Sequence, residues 1–451
     1  MPSASSTAAH LKNSAALLTA ANLVCAVLGV SQGLLVLRML GTEVFGAAAV
    51  LTALGAVATS LIDLRVTDLI SKLYYDERAG CPTTGPAYRA AALRLGLRFH
   101  VCGAALIAIV AFVVMSLAAQ RLTGTPLAAS WLWVAAAAHG VSYLGSFFVF
   151  VQRFAAVPRR MALAQLGSAV INAGAMFAAV NANPTVGGYA VGLMASATGI
   201  ALLNAWEAIT ALRHEGVGLF GAAPSLARAI DRRLILRFVA AGNFLGYAKL
   251  LHRAGDVLLV AFFCGDRETG IYKLARSITD ALYTISEATS RIYQPRLLAL
   301  LQARDHADYA AVARSLTGMA AAVTAAAIGA QIILIPYLAP LLRVTDVQTL
   351  TLAVVTLTVA FFFAAGVQSW VWPVFVFVGR LDQCAAWGIC AVLAGQYALG
   401  PALFHFAGDG SPVWFCVGYL SFYPLSLLPL WRELQRERSA FIRRVQEVAT
   451  A

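Results

Sequence analysis

Eleven ionisable residues sit in or beside strongly apolar runs. Arg65, Asp68 and Lys72 end one run, Lys249, Arg253 and Asp256 interrupt a second, and Lys273, Arg276, Asp280, Glu287 and Arg291 mark a third. An ionised side chain near the centre of a bilayer costs about 2.5 to 3.5 kcal/mol on insertion scales, so each needs a partner, water or a ligand. Lys and Arg in a poorly screened cavity make charge-assisted hydrogen bonds to phosphate or carboxylate oxygens. Asp and Glu there are candidates to bind a proton or a small cation.

Helical phase groups these ions. At 100° per residue, Lys273, Arg276, Asp280, Glu287 and Arg291 fall with Tyr283 within about an 80° arc, and Lys249, His252, Arg253 and Asp256 within about 100°. Arg65, Asp68 and Lys72 share a face, while Asp63 points roughly the opposite way. Lipid offers polar stripes no partner, so they should face a bundle interior or a water-filled cavity. Seven cations against Asp68, Asp256, Asp280 and Glu287 give that cavity a basic surplus. Two simpler explanations compete. Arg65, Asp68, Lys72 and Arg291 lie near inner helix ends, where long side chains snorkel. Arg253 with Asp256, or Arg276 with Asp280, would make internal ion pairs at helical spacing. Glu207 and Arg38 read as interfacial, and His100 and His139 as packed or hydrogen-bonded helix residues.

The elements that must position these groups are membrane helices. Of 451 residues, 60% are apolar and 12% charged, with a mean hydropathy of +0.76, far from the balance of a soluble globular chain. Long apolar runs, rather than short alternating ones, exclude a barrel. Twelve spans are expected, at about 15–37, 46–70, 91–118, 130–151, 161–181, 187–211, 236–263, 270–293, 311–335, 349–378, 383–404 and 411–430. The first is too long for a signal-peptide core and reads as a retained span. With the N-terminus inside, inner loops hold 23 of the 33 Lys and Arg and outer loops hold Arg38, Arg121, Arg267 and Arg343. That bias places both termini in the cytoplasm.

An internal echo divides the chain. "LLVLRMLGTEVFG", Leu34 to Gly46, and "LLVAFFCGDRETG", Leu258 to Gly270, match at an offset of 224, and each joins two apolar runs. Six spans separate the copies, so the halves should have parallel orientation. The expected organisation is a six-helix bundle over 1–212, a cytoplasmic linker over 213–235, a second six-helix bundle over 236–431 and a cytoplasmic tail over 432–451. GxxxG pairs at Gly29/Gly33, Gly188/Gly192 and Gly242/Gly246 suggest close helix packing, and Pro373 interrupts the tenth span.

Several function classes lack support. No Walker A loop, HExxH or clustered metal ligands occur, and "GVSQG" at Gly29 to Gly33 lies inside an apolar helix rather than a strand-turn-helix elbow. The seven scattered cysteines show no metal-ligand spacing. No cofactor is expected. The net charge of +12 follows from the inner loops and needs no nucleic acid. A membrane glycosyltransferase or polymerase would also need cations, but the outer loops here are short and poor in acids.

"RMLGTEVFG", "DLRVTDLISKLYY", "RAGDVLLVAFFCGDRETGIYKLA" and "IYQPRLLALLQARDHADYAAVARSL" resemble the polysaccharide-exporter family of lipid-linked oligosaccharide flippases, the Wzx-like O-antigen members of the multidrug/oligosaccharidyl-lipid/polysaccharide superfamily. The resemblance implies an all-α polytopic fold of two six-helix bundles related by pseudo-two-fold symmetry (MATE-like). It implies a bacterial inner membrane protein, for surface polysaccharide biosynthesis, that moves an undecaprenyl-pyrophosphate-linked oligosaccharide by alternating access. By position Arg65, Lys249, Arg253, Lys273, Arg276 and Arg291 would bind substrate. Asp256, Asp280 or Glu287 would couple transport to H+ or Na+, and Asp68 and Lys72 would line the cavity entrance. Polysaccharide polymerase or assembly proteins are the further partners implied. A cation-coupled multidrug antiporter of the same fold is the alternative. A cytoplasm-dependent reporter fused after His214, and another after Ala451, should both be active; an inactive fusion at either position would reverse the expected orientation.

Overall fold

A computed structural model of the chain describes residues 4–62, 70, 74, 85–124, 127–155, 158–219, 251–252, 254–302, 306–371 and 381–427. Among the described residues the regular structure is all helical. The helices are α1 (Ala4–Ile62), α2 (Gly85–Leu122), α3 (Ala129–Ala155), α4 (Pro158–Ala182), α5 (Val186–His214), α6 (Gly255–Cys264), α7 (Asp266–Gln302), α8 (His306–Leu341), α9 (Val347–Phe362), α10 (Leu381–Val392), α11 (Gly400–Ala407) and α12 (Val413–Leu427). Two π-helical stretches, Phe363–Gln368 and Leu393–Leu399, extend α9 and join α10 to α11. Eight helices among the described residues are long and apolar enough to cross a membrane, and Gly255–Cys264 and Val413–Leu427 are shorter apolar helices. In hydrocarbon the backbone must satisfy its own N–H and C=O groups, which a helix does locally. Each of the twelve expected spans overlaps a described helix, the second as far as 62, the seventh from 251, the tenth as far as 371 and the twelfth over 413–427, but α7, at the eighth, is not among the long apolar helices.

Two junctions differ from the expected short loops. Helix α1 contains the first two spans in one element, broken only at Gly41 (φ 78°, ψ 168°). Gly265, between α6 and α7, has φ 92° and ψ −176°. This backbone region is essentially closed to residues with a Cβ. The two glycines are the equivalent positions of the sequence echo, 224 residues apart, so the repeat encodes the same turn twice.

The two turns also pack against each other reciprocally. A Cβ on Gly46 would overlap the Asp266 carbonyl, and a Cβ on Gly270 would overlap the Thr42 carbonyl. Thr42 and Asp266, like Gly46 and Gly270, are separated by 224 positions. Each copy therefore offers a glycine to the other copy's carbonyl, as in an isologous two-fold contact. Asp266 Oδ2 also accepts a hydrogen bond from the Gly124 N–H at 3.0 Å.

The chain forms two compact units, Met1–Gly270 and Ile271–Ala451. In the first, α1 packs on α2 and α4, α2 on α3, α3 on α5 and α5 on α4, closing a ring. One apolar cluster holds Val50, Leu51, Leu54, Met115, Leu132 and Val186. A second gathers Ile70, Leu93, Phe147, Phe150, Val151 and Leu212. His100 is buried, bonded to the Gly96 carbonyl at 2.8 Å and stacked on Tyr143, the packed role expected of it. His139 lies against Gly55, where a Cβ would strike its ring. After α5, Gly216 takes φ 72°, and the Val217 and Gly216 N–H groups bond Leu212 and Arg213 carbonyls at 2.9 and 3.1 Å, a Schellman stop. Arg94 Nε then donates to the Leu219 carbonyl at 2.9 Å. The expected linker lies outside the described residues from 220 on.

In the second unit α8 packs on α9 and its π-helical extension. Gln331 and Thr358 pair inside this contact at 2.9 Å. A π-turn displaces carbonyls from the α ladder, and Thr317 Oγ1 donates to that of Gly366 at 3.0 Å. Of the expected GxxxG pairs, Gly192 approaches Met176 (Cα 3.2 Å from a built Cβ), whereas no described atom lies within 4 Å of such a Cβ on Gly29 or Gly33. Gly242/Gly246 lies outside the described residues. Gly46→Val and Gly270→Val should each lower the stability of the purified protein by about 1–3 kcal/mol through overpacking, while Gly29→Ala should not. Thermal unfolding of the detergent-solubilised chain reads this directly, and equal midpoints for all three would refute the contact.

Candidate functional site

Helix α7 carries the ionic stripe, and its local sequence explains the start. Asp266 and Glu268 occupy the first turn, where acids complement the helix dipole. Arg276 is buried at 5% exposure. Its guanidinium carbon lies 4.0 Å from the Tyr419 ring centroid, and its Nε is 3.4 Å from Asp280 Oδ1, one turn further along. The Asp280 side chain is half exposed, so this ion pair contributes only about 0.3–0.5 kcal/mol. A desolvated cation–π contact reaches about 2 kcal/mol. Arg276 is thus held by both a ring and a carboxylate.

Tyr419 belongs to α12, and a close approach of backbones seats it. Gly418 meets Gly395 of the π-helical stretch and Gly400 of α11, where a Cβ on Gly418 would come within 2.8 Å of the Gly395 carbonyl oxygen. One turn beyond Tyr419, Tyr423 shares a hydroxyl contact with Tyr283 of α7 at 2.9 Å. Tyr419 and Tyr423 hydroxyls are 3.4 Å apart, and Phe361 of α9 meets the Tyr283 ring edge-on at 5.4 Å. Arg276, Asp280 and Tyr283 thus sit on one face of α7 against a hydroxyl-bearing aromatic wall. Lys273 is partly buried on the same helix, its carbonyl accepting from Ser277 Oγ at 2.9 Å.

The other expected residues separate into two groups. Asp256 is buried in the first turn of α6, where its Oδ1 accepts the Val257 N–H at 2.8 Å and its charge complements the helix dipole. Arg65, Asp68, Lys72, Lys249 and Arg253 lie outside the described residues, as do the side chains of Glu287 and Arg291. The pairing of Arg276 with Asp280, one of the two simpler explanations available from the sequence, is present. Tyr419 and Tyr423 were not expected. Their signal was the four-residue spacing in "GYLSFYP", which a search confined to ions passes over. Uncharged Gln32, Gln152, Asn172 and Asn204 inside spans were passed over for the same reason.

Chemically, a guanidinium brings five N–H donors and a permanent positive charge to this face of α7. Phenol hydroxyls alongside can donate to phosphate or sugar oxygens.

No family model and no curated protein matches the sequence. Solved structures do. An inward-facing multidrug resistance MATE family transporter of the MOP superfamily superposes with a TM-score of 0.59 at 14% identity over 94% of this chain and 95% of its own. The Vibrio cholerae MATE transporter VcmN gives 0.58 at 14% identity, over 95% and 98%. The lipid II flippase MurJ, inward closed, gives 0.64 at 9% identity, over 93% and 87%. The chain has the MATE fold. Within it, Tyr419→Leu should lower stability by about 0.5–2 kcal/mol by removing the ring beneath Arg276, and Tyr419→Phe should preserve it. Asp280→Asn should change it by less than about 0.5 kcal/mol. The reverse ranking in thermal unfolding would make the carboxylate the principal support.

Proposed function

We propose that this membrane transporter is a flippase that carries a polyprenyl-pyrophosphate-linked oligosaccharide across the bacterial inner membrane, in surface polysaccharide biosynthesis. The observation that carries the reading is Arg276, a buried cation of α7 held against Tyr419. An anionic headgroup is the natural complement of a guanidinium in a poorly screened setting. The excess of Arg65, Lys72, Lys249, Arg253, Lys273, Arg276 and Arg291 over four acids on the stripes supports it. So does a fold shared with a lipid II flippase. Substrate binding is assigned to the six cations Arg65, Lys249, Arg253, Lys273, Arg276 and Arg291, the entrance to Asp68 and Lys72, and coupling to H+ or Na+ to Asp256, Asp280 or Glu287.

The multidrug transporters of the same fold favour a second reading, a cation-coupled drug antiporter. A cavity for cationic drugs requires a surplus of acids, and the sign of the stripes argues the other way. Arg276→Ala and Lys249→Ala should each abolish surface glycan in a complemented flippase-null strain, with glycan trapped on the inner leaflet and the protein still in the membrane. Arg276→Lys, which keeps charge but not the planar fork, should restore part of it. Normal glycan in both alanine variants, or drug resistance on expression with no glycan phenotype, would sink the reading.

A further inference from the structure

A second polar feature lies wholly within the first unit. Helices α3, α4 and α5 enclose a cavity of about 510 Å³ lined by Ser142, Ser146, Ser168, Asn172, Ser196 and Asn204. These residues fall near the middle of their helices: Ser142 is 13 residues from either end of α3. The cavity is thus lined from the central parts of α3, α4 and α5. Among the described residues no ionisable side chain lines it.

Its polar groups are ordered into a network. Asn172 Nδ2 donates to Gln32 of α1 at 2.6 Å, and Ser196 Oγ donates to Asn172 Oδ1 at 2.5 Å. Gln152 Nε2 donates to Asn204 Oδ1 at 3.0 Å. An amide has four hydrogen-bonding sites and a hydroxyl three, so these side chains retain capacity towards the cavity. Ser196 and Asn204 are buried, while Ser142 and Ser146 at the rim are exposed, so the cavity is open. Leu193 and Ile200 add apolar surface.

We propose that this cavity binds a neutral, hydroxyl-rich group. An ion would meet no countercharge there and lose its hydration, which is costly in a low-dielectric setting. A purely apolar ligand would leave serines and amides unpaired, which is also costly. A sugar matches both surfaces, its hydroxyls to the Ser and Asn groups and its C–H faces to Leu193 and Ile200. Assigning that sugar to the glycan of the translocated substrate rests on the flippase reading; the chemistry of the cavity does not. The division of labour is then a cationic stripe for pyrophosphate and a neutral pocket for sugar. A glycerol headgroup of phosphatidylglycerol shares the chemistry and is the other source.

The test uses the full-length chain in phosphatidylcholine nanodiscs, with Ser146→Cys as a reporter at the rim and its maleimide alkylation followed by peptide mass. Maltose, lactose and N,N′-diacetylchitobiose are titrated in turn, with glucosamine and glucuronate as charged controls. At least one neutral disaccharide should slow alkylation about threefold at about twice its half-saturating concentration, by mass action. The charged sugars should not. Adding Ser196→Phe, or Ser168→Leu should that variant misfold, fills the cavity and should remove the protection. Protection by phosphatidylglycerol nanodiscs without sugar supports the chemistry and assigns the headgroup as its source. Absence of protection by every neutral probe, equal protection by the charged sugars, or protection that persists in the filled cavity would overturn it. Surface glycan in the Arg276→Ala strain separates the two readings: its loss without disaccharide protection defeats only the pocket, and its persistence with protection defeats only the flippase.

Discussion

Two glycines set the architecture of the first unit. Gly46 and Gly270 let two helix starts approach until each rests on a backbone carbonyl of the other, Asp266 and Thr42 respectively. Any side chain at either position would hold the helices apart, because packed interiors do not absorb an extra methyl without moving. The contact draws α6 and the first turn of α7 into the ring of α1 to α5, and Asp266 adds its bond to Gly124 at the end of α2. The positive-φ turns at Gly41 and Gly265 aim the helices into that contact. Turn and contact come from the same duplicated segment, so one short sequence pattern supplies both halves of a two-fold joint.

Burial of charge is handled by a different device in the second unit. Arg276 is buried on α7. An aromatic face carries it, and its carboxylate partner stays half exposed. The negative face of the ring stabilises the cation in that position. Close packing of Gly418 on Gly395 and Gly400 gives Tyr419 its position, so a small-residue contact again determines where a functional side chain sits.

Neutral polar groups follow a third logic. Within the membrane each must find a partner, and the first unit answers with amide and hydroxyl chains running from Gln32 to Ser196 and from Gln152 to Asn204. Such a chain preorganises a surface for other hydroxyl-bearing molecules, because its members are already held in orientation.

The helical class, the approximate span positions and the duplicated segment were legible in the sequence, because hydrocarbon imposes a length and an apolar composition that one residue string displays directly. Helical phase likewise put Arg276, Asp280 and Tyr283 on one face of α7, since that face depends only on local geometry. Partners from other helices were not legible. Tyr419 lies 143 positions from Arg276, and no local periodicity relates them. Gly41 and Gly265 were visible as a matched pair, but their shared left-handed turn and the reciprocal seating of Gly46 and Gly270 arise only when the two segments meet. The same holds for the cavity of Ser142, Asn172 and Ser196: each residue is an ordinary polar interruption of an apolar helix until three helices converge. Local composition and phase are properties of one helix; which cation meets a ring and which hydroxyls share a space depend on packing between helices, and only the tertiary structure decides them.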